Sequence, residues 1–288
     1  MNPSTSASRR VLVAGCGYSG LAIARLFHAQ GWAVAACTRS PESAAALSGE
    51  PFQTVSCDLA DRESIRRLAP FAGIDFVIHC ASSGRGGAEE YRQVYLQGAQ
   101  NLAETLSPGR LLFTSSTSVY AQTTGEWVTE ESVADPERET GRILRETEDF
   151  VCECGGIVAR LAGIYGPGRS MLLRKFLSGE AAIEGDGSRS INQIHRDDIA
   201  TALLALARHA QPGIFNVCDN SPMSQRALYE GLATRFARLL PPSGPIDTDR
   251  KRGWTDKKVS NGKLRGLGWE PAYPAFFDAV ERDPELIP

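Results

Sequence analysis

The chain has 288 residues and a formal net charge of −3, with basic and acidic residues nearly balanced. This length is enough to bury a full core and to carry a second, smaller lobe. Mixed charge of this kind does not indicate a nucleic-acid or membrane partner, and no apolar run is long enough to span a membrane. Residues 1–9 are polar, unlike a signal peptide, and predict a flexible tail. The seven cysteines, an odd number in mostly apolar surroundings, predict reduced thiols, a cytoplasmic protein and no metal site.

A glycine-rich turn between an apolar strand and an amphipathic helix is the most informative stretch. Residues 11–14 are apolar and run into a G-x-G-x-x-G, after which a helix and a second strand at 33–37 are predicted. This is the nucleotide-binding half of a doubly wound fold, in which the three glycines allow a tight turn, a close approach to a pyrophosphate and close helix packing. The alternative is a turn with a purely structural role. We predict that the residues of this turn that bind a dinucleotide are Gly15, Gly17, Tyr18, Ser19 and Gly20.

The end of the second predicted strand bears on the choice of cofactor. NAD-binding proteins usually carry an acidic residue there, which binds the ribose 2′-hydroxyl. This chain has Thr38, Arg39 and Ser40 instead. The Arg39 guanidinium could pair with a 2′-phosphate, and the two hydroxyls could donate to it. The sequence therefore favours NADP(H), with NAD(H) as the alternative if Arg39 only begins a surface loop.

Strands and helices alternate through the first half of the chain. Strands predicted at residues 52–55, 75–80, 110–114 and 157–161 are separated by helices at 61–68, 91–106 and 137–154. This alternation predicts a parallel sheet covered by helices on both faces. Ligands of such folds bind outside the carboxyl ends of the strands. Polar or small residues follow those ends here, among them Asp58, Leu59, Ala81, Ser82 and Ser116.

The later chain changes character and predicts a second lobe. A loop at 165–169, a helix at 171–177 and a strand at 189–194 precede helices at 196–208 and 224–239, with a strand at 213–218 between them. The predicted class is α/β: a doubly wound parallel-sheet Rossmann fold with a smaller C-terminal α+β substrate lobe. We assign residues 10–164 and 193–219 to an NAD(P)-binding Rossmann domain and residues 165–192 and 220–288 to the substrate-binding lobe. The substrate is expected between the two.

Several short motifs follow one another in an order typical of one family. They are the glycine turn, Asp58-Leu59, His79-Cys80-Ala81, Ser115-Ser116-Thr117-Ser118-Val119-Tyr120, Tyr165-Gly166-Pro167-Gly168, Ile194-His195-Arg196-Asp197-Asp198-Ile199, Phe215-Asn216-Val217 and Leu267-Gly268-Trp269-Glu270-Pro271. In this order they resemble the extended short-chain dehydrogenase/reductases, also called NAD-dependent epimerase/dehydratases, over nearly the whole chain after the tail. The resemblance implies that Asp58 contacts adenine, that Cys80, Ala81 and Ser82 lie beside the cofactor, and that Ser116 is the catalytic serine.

The sequence departs from this family at its acid–base pair. The family's working Tyr stands four residues before a Lys, which lowers the pKa of the Tyr and holds the ribose. The matching positions here are Thr140 and Leu144, and neither side chain can transfer a proton or supply a charge at neutral pH. The chain therefore looks like an atypical branch of the family that lacks the Tyr-x-x-x-Lys pair.

Other residues could replace the missing pair. Tyr120 and Tyr165 are predicted on loops at the carboxyl edge of the sheet, and Arg145 on the helix that would have carried the Lys. A phenol activated by a guanidinium is chemically feasible. Ser116 and Tyr120 are therefore the candidate catalytic residues, and Arg145 is a candidate for the charge near the ribose. The alternative is that both tyrosines pack or gate the site and that Ser116 only ends a strand.

Candidate substrate contacts lie in the loop and helix after the sixth predicted strand. Tyr165, Arg169 and Arg174 are found there, and Ser116 ends the preceding strand. With the basic run at 250–252, the two arginines could frame an anionic group. The alternative is a solvated basic surface.

Two functions remain open on the sequence. The first is an NAD(P)-dependent oxidoreductase or epimerase that acts on a carbonyl or hydroxyl carbon of an unidentified small molecule. The second is a non-catalytic NADP(H)-binding sensor or regulatory protein, which the loss of the Tyr and Lys favours. The resemblance also implies a homodimer that pairs the helices predicted at 91–106 and 137–154.

Overall fold

The computed structural model describes residues 8–68, 70, 73–84, 86–248 and 253–287. The predicted tail at 1–9 lies largely outside these residues, and the basic run at 250–252 lies wholly outside them. The strands are β1 Arg10–Ala14, β2 Ala33–Thr38, β3 Gln53–Ser56, β4 Phe76–His79, β5 Arg110–Ser116, β6 Glu126–Val128, β7 Ile157–Leu161, β8 Gly163–Tyr165, β9 Ile183–Glu184, β10 Ser190–Ile191, β11 Gln193–His195, β12 Gly213–Val217, β13 Met223–Ser224, β14 Ser243–Gly244 and β15 Lys257–Val259.

The helices occupy most of the connections between these strands. They are α1 Tyr18–Ala29, α2 Pro41–Ala45, α3 Arg62–Arg66, α4 Ala88–Tyr91, α5 Gly98–Leu106, α6 Glu139–Glu153, α7 Met171–Leu177, α8 Arg196–His209, α9 Gln225–Phe236, α10 Gly262–Arg265 and α11 Phe276–Arg282. A π-helical segment, Arg92–Gln97, joins α4 to α5.

The main sheet is parallel. In the part of the chain that the structure describes, its seven strands follow the order β12-β7-β5-β4-β1-β2-β3. Strand β1 pairs with β2 on one side and with β4 on the other, so that Val13 lies opposite Ala36 and Ile78. Strands β4 and β7 are buried along their whole length, as expected where helices cover both faces. The strand order reverses between β1 and β4, and doubly wound folds bind ligands at such a point. The predicted fold class is confirmed.

The chain divides into two compact units. The first comprises the residues up to Ser115 together with Ile143–Ala159 and Leu203–Ile214; the second comprises Ser116–Arg142, Arg160–Ala202 and the residues from Phe215 onward. The sequence assigns residues 10–164 and 193–219 to cofactor binding and 165–192 and 220–288 to the substrate, and this functional division stays a prediction. The core of the second unit is apolar and aromatic, and includes Leu173, Phe176, Leu228, Tyr229 and Phe276.

Some predicted elements differ from the observed ones for physical reasons. The predicted helix at 91–106 starts at Ala88 and contains the π-helical segment, whose Val94 and Tyr95 carbonyl oxygens lie 3.0 and 3.3 Å from Nε2 of the buried His79. The predicted strand at 189–194 is two strands, because β10 pairs with β13 whereas β11 pairs with β8. Strands of two or three residues escape prediction because they are too short to show a period.

Two further properties concern the described residues alone. None of their helices is both long and apolar enough to cross a membrane. Within the same ranges, no group of three or more His, Cys, Asp or Glu side chains could hold a metal ion.

Candidate functional site

The glycine turn connects β1 to α1, and its inner side has no room for side chains. Gly15 has φ of 105°, and a Cβ on it would lie 2.3 Å from the amide nitrogen of Ala81, just after β4. A Cβ on Gly20 would lie 2.2 Å from the carbonyl oxygen of Gly15. Only glycine therefore lets α1 begin this close to the strand. A Cβ on Gly17 would meet nothing within 4 Å, so the outer side of the turn is open.

The first turn of α1 can accept an anion. Its N-cap residue, Gly17, has no side-chain oxygen, and there is no acidic residue in the first turn. A backbone hydrogen bond runs from the Leu21 amide to the Gly17 carbonyl oxygen at 2.8 Å, which leaves the amides of Ser19 and Gly20 ahead of it without a helical acceptor. These amides and the positive end of the helix dipole fit the pyrophosphate of a dinucleotide.

The end of β2 faces the end of β3 through a pair of exposed charges. The Arg39 Nε atom lies 3.6 Å from Oδ2 of Asp58, and the two side chains are 79% and 42% exposed. The neighbouring hydroxyls are already engaged: Thr38 Oγ1 donates to the Ser40 carbonyl oxygen at 3.3 Å, and Ser40 Oγ accepts the Ser43 amide at 3.2 Å at the start of α2. An ion pair this exposed contributes little to stability, so a ligand could displace it.

A buried asparagine holds the loop after β3. Asn101 on α5 donates from Nδ2 to the carbonyl oxygens of Leu59 and Ala60 at 2.9 and 3.2 Å, and Asp58 Oδ1 accepts the Ala60 amide at 3.0 Å. The contacts keep Asp58 and Leu59, two predicted cofactor residues, in one conformation. Sequence reasoning missed Asn101, and the available signal was a polar residue on the apolar face of a helix, since a buried amide needs a partner.

The residues after β4 pack directly on the glycine turn. Cys80 Sγ donates to the Gly15 carbonyl oxygen at 3.3 Å, and burial raises the pKa of this thiol well above its ordinary value. Ser82 Oγ accepts the Gly84 amide at 3.2 Å. The predicted cofactor residues that follow β1 and β4 therefore lie next to each other, with Cys80 and Ala81 against Gly15. Their role in cofactor binding stays a prediction.

A charged network on α6 lies next to Leu144, the position that the sequence predicts for the family's lysine. Leu144 is buried, and the next residue, Arg145, donates to Glu148 and, at 2.6 Å, to Asp149. Glu148 is fully buried, and its Oε1 accepts from Ser115 Oγ at 2.5 Å. Arg145 is thus neutralised by carboxylates on its own helix. These contacts do not support the charge near the ribose that the sequence suggests for Arg145.

Tyr120 is committed to the fold of the second unit. It is fully buried, and its hydroxyl donates to the Thr129 carbonyl oxygen at 2.9 Å and to Asn216 Oδ1 at 2.8 Å. The guanidinium carbon of Arg160 lies 4.8 Å from the centre of its ring. Burial raises the pKa of Tyr120 despite that cation. An acid–base role for Tyr120 stays a prediction that these contacts do not support.

A cleft of about 330 Å³ lies within the second unit. Ser116 at the end of β5 and Tyr165 at the end of β8 both line it, as the sequence expects for substrate contacts. Arg169 and Arg174 are exposed and are not among its lining residues. Other side chains that line the cleft are Ser118, Ser170, Arg189, Asn192, Thr255 and Lys257.

Tyr165 presents a protonated hydroxyl. The residue is buried, and within the described residues its hydroxyl has no hydrogen-bond partner. Its ring packs edge-on against His195 and Phe276, with centres 5.3 and 5.1 Å apart. Burial, followed by the nearby carboxylate of Asp219, raises the pKa of Tyr165 far above its ordinary value. At neutral pH this phenol could donate a hydrogen bond but could not act as a base.

Lys257 is the cleft residue that sequence reasoning missed. Its Nζ donates to the Tyr120 carbonyl oxygen at 2.9 Å and to Thr255 Oγ1 at 2.7 Å. Burial, and after it the nearby Arg189, lowers the pKa of Lys257 to about 8. In the sequence, Lys257 and Lys258 are simply two adjacent lysines. The structure distinguishes them, because strand β15 buries the Lys257 side chain and leaves Lys258 only half-buried.

Comparison with known proteins agrees with this geometry. Residues 11–218 match the sequence model described as the NAD dependent epimerase/dehydratase family. The chain belongs to this family. The matched stretch contains the glycine turn, Asp58, Ser116 and Tyr165, so the resemblance inferred from the motifs is confirmed.

Three similar proteins show how widely the similarity extends. Protein YeeZ of Escherichia coli K12 is 29% identical over 280 residues, which are 92% of this chain and 97% of YeeZ. A structure from Methylobacillus flagellatus, provisionally assigned as an NAD-dependent epimerase/dehydratase, is 28% identical over 96% of this chain and 98% of its own, with a TM-score of 0.79. The UDP-glucose 4-epimerase of Thermus thermophilus, solved with NAD, is 21% identical over 95% and 97% of the two chains, with a TM-score of 0.78, a likeness that shows the fold alone.

Membership of the epimerase/dehydratase family supports binding of a nicotinamide dinucleotide, which supplies hydride transfer when bound. The residues present here fit such a group, because the open face at Gly17 and the amides of Ser19 and Gly20 suit its pyrophosphate. Arg39 and Asp58 stand at the strand ends where the adenosine half of a dinucleotide binds in doubly wound folds.

Proposed function

We propose that this family member binds NADP(H) and acts as an oxidoreductase or epimerase on a carbonyl or hydroxyl carbon of a small molecule. The glycine turn carries this proposal, since its inner side excludes any Cβ and its outer side is open to a ligand. The cleft of the second unit supports the catalytic part, because hydroxyl and cationic side chains surround it. The usual Tyr and Lys are replaced by Thr140 and Leu144, so the proton must move through another group.

The preference for NADP(H) is supported by the end of β2. Arg39 has no carboxylate neighbour on its own strand end, and its separation of 3.6 Å from Asp58 is too long for a hydrogen bond. A ribose 2′-phosphate is a stronger partner for a guanidinium than an exposed carboxylate, because it accepts bidentate charge-assisted hydrogen bonds. In the competing case, NAD(H) binds while Arg39 stays beside Asp58.

Titration with NADPH and NADH, followed by fluorescence, tests the cofactor preference. We expect Arg39→Ala to weaken NADPH binding roughly ten- to hundredfold, as for loss of a charge-assisted contact, and to leave NADH binding unchanged. Arg66→Ala removes an exposed, ion-paired arginine on α3 and is the matched control, with no expected effect. Equal affinities that Arg39→Ala does not change would contradict the NADP preference. Failure to bind either dinucleotide would contradict the proposal itself.

A non-catalytic NADP(H) sensor is the second candidate. It is favoured by three observations: Leu144 is buried, Arg145 is neutralised by carboxylates, and the Tyr120 hydroxyl is bonded within the fold. A screen of alcohols, aldehydes, ketones and nucleotide sugars with NADP⁺ or NADPH distinguishes the two. Turnover of any of them supports the enzyme. Tight NADPH binding without turnover across the screen supports the sensor.

The proposal also includes a cytoplasmic location and a homodimer that pairs the helices at 91–106 and 137–154. The cysteines support the first part, because all seven are free, as is usual in a reducing compartment. Light scattering on the purified protein would give the mass of the assembly, and a monomer at micromolar concentration would contradict the second part.

A further inference from the structure

Lys257 is a buried cation whose hydrogen-bond acceptors are all neutral. The residue is 5% exposed, and its Nζ contacts the Tyr120 carbonyl oxygen and the Thr255 hydroxyl. Burial of an ammonium group against neutral acceptors is costly. Such a group is retained in a fold where its proton can leave or where a ligand approaches it.

The charged groups around Lys257 do not hold it in the charged form. Arg189 repels it, and Asp256, the preceding residue, has Oδ1 engaged by the Ser190 amide at 2.8 Å. Glu126 is opposite Lys257 in the register of β6 and β15, but its side chain is exposed. Among the described residues, no carboxylate lies within ion-pair distance of the amine. Burial lowers the pKa of Lys257 most, Arg189 lowers it further and Asp256 raises it in part, which leaves a pKa of about 8.

The two acceptors suit both protonation states of the amine. An ammonium has three N–H groups, and Tyr120 and Thr255 take two of them, so one proton remains for a ligand. When that proton leaves, the Tyr120 carbonyl oxygen still accepts an N–H. The Thr255 hydroxyl oxygen accepts the other N–H, so the lone pair of the amine takes the position of the lost proton. Proton transfer thus needs no rearrangement of the site.

Lys257 lines the same cleft as Ser116. Ser116 lies at the end of β5, where its Oγ accepts the Ser118 amide at 3.2 Å. The cleft therefore presents a hydroxyl group and a titratable amine to one small molecule. The helix that carries the family's acid–base pair offers no titratable side chain at Thr140 and Leu144.

We propose that Lys257 is the proton-transfer residue of this protein and acts on a substrate oxygen bound in the cleft of the second unit, which Ser116 also lines. This inference rests on the proposed function. In oxidation, the neutral amine accepts the proton of the substrate hydroxyl: the O–H bond breaks, an N–H bond forms, and the carbonyl forms as the carbon gives up hydride. A bound oxidised nicotinamide dinucleotide would be the acceptor of that hydride. The ammonium then loses its proton to water. In reduction, the ammonium donates that proton to the carbonyl oxygen.

The titration of Lys257 can be measured without turnover. The chain has five lysines, so selective ¹³C labelling of lysine gives a simple NMR spectrum, in which Lys257→Arg identifies the signal of Lys257. We expect a midpoint at about pH 8 for Lys257. A midpoint at or above about pH 10.4, the ordinary value for a lysine in a peptide, would overturn the inference.

Kinetics with a substrate from the screen complete the test. Lys257→Arg keeps a cation and its donors but cannot take up a proton at neutral pH, and we expect kcat to fall about a hundredfold or more while NADPH affinity stays within twofold. Lys258→Arg is the matched control and should keep wild-type activity. Wild-type oxidation should rise through about pH 8. Full activity of Lys257→Arg would overturn this inference alone, whereas absence of wild-type turnover would be a failure of the proposed function.

Discussion

Replacement of Arg145 by Met would test whether this cation serves the fold or the cofactor. Glu148 is fully buried, and its two oxygens face Ser115 Oγ and the Arg145 guanidinium. Removal of one partner from a buried ion pair costs about 3–5 kcal/mol. Because the Arg145 side chain is 23% exposed and the Ser115 bond remains, we expect a smaller loss of unfolding free energy, about 2–3 kcal/mol.

Calorimetry gives the corresponding change in melting temperature. For a protein of this size, each kcal/mol shifts Tm by roughly 2–4 °C, so we expect Arg145→Met to melt about 5–10 °C below the wild type. Arg142→Met replaces an exposed arginine on the same helix and should change the unfolding free energy by no more than about 0.5 kcal/mol. Addition of Glu148→Gln to Arg145→Met should restore part of the loss, because the uncompensated charge is then gone.

The same variant should bind NADPH normally below its melting temperature. If Arg145 only neutralises Glu148 and Asp149, its loss leaves the affinity within twofold. If it held the ribose, the loss of a charge-assisted contact would weaken binding about tenfold or more. A tenfold loss of affinity, or a Tm equal to that of Arg142→Met, would refute the reasoning from the contacts of Glu148.

Four further variants probe the glycine turn and the buried groups of the second unit. Gly20→Ala places a Cβ 2.2 Å from the Gly15 carbonyl oxygen and should lower both Tm and NADPH affinity. Gly17→Ala places a Cβ where no protein atom lies within 4 Å and should weaken NADPH binding without lowering Tm. If the two variants had the same Tm and the same NADPH affinity, this reasoning would be contradicted. Burial raises the pKa of Asp219 to about 7, so the native state holds an extra proton between about pH 4 and pH 7 and stability falls as pH rises through that range. Asp219→Asn should remove this fall in urea unfolding, and a wild type equally stable at both ends of the range would rule out the shift. Tyr120→Phe removes a bonded buried hydroxyl and should cost about 1–2 kcal/mol without loss of turnover, while loss of kcat at full stability would restore Tyr120 as a catalytic candidate.

The parts of the fold that the sequence predicts are those encoded by consecutive residues. Strand β7 and helix α7 appear at the predicted residues. Helix α3 lies within the helix predicted at 61–68, and its N-cap Asp61 accepts the Glu63 amide at 3.0 Å. A buried strand, a helical period and a cap each show within a few positions. The π-helical segment at Arg92–Gln97 was not predictable in this way, because it meets a histidine on another element of the chain.

The candidate site also has parts that consecutive residues encode and parts that depend on distant residues. The glycine turn could be predicted because the spacing of its three glycines is visible in the sequence. The atoms that exclude a Cβ at Gly15 belong to the distant Ala81, and only the structure shows them. The state of Arg145, in contrast, depends on whether its helix neighbours are buried, and Glu148 becomes a strong partner only because Ser115 and the sheet cover it. A sequence pattern shows which charged residues are close to each other along the chain, but it does not show which of them are buried away from water.

The sequence alone predicted a parallel α/β protein of the epimerase/dehydratase family with a glycine turn between its first strand and helix, because alternating strands and helices and the spacing of glycines are properties of successive residues. The replacement of the family's Tyr and Lys by Thr140 and Leu144 stays a prediction from the same sequence. Only the tertiary structure decided that Lys257 is buried in a cleft with Ser116, while Tyr120 is bonded within the fold. The Lys257 amine reaches the Tyr120 carbonyl oxygen across 137 residues of chain. The fold brings residues that are remote in sequence into contact and excludes water from between them. Their burial, their hydrogen-bond partners and their protonation states therefore depend on the tertiary structure.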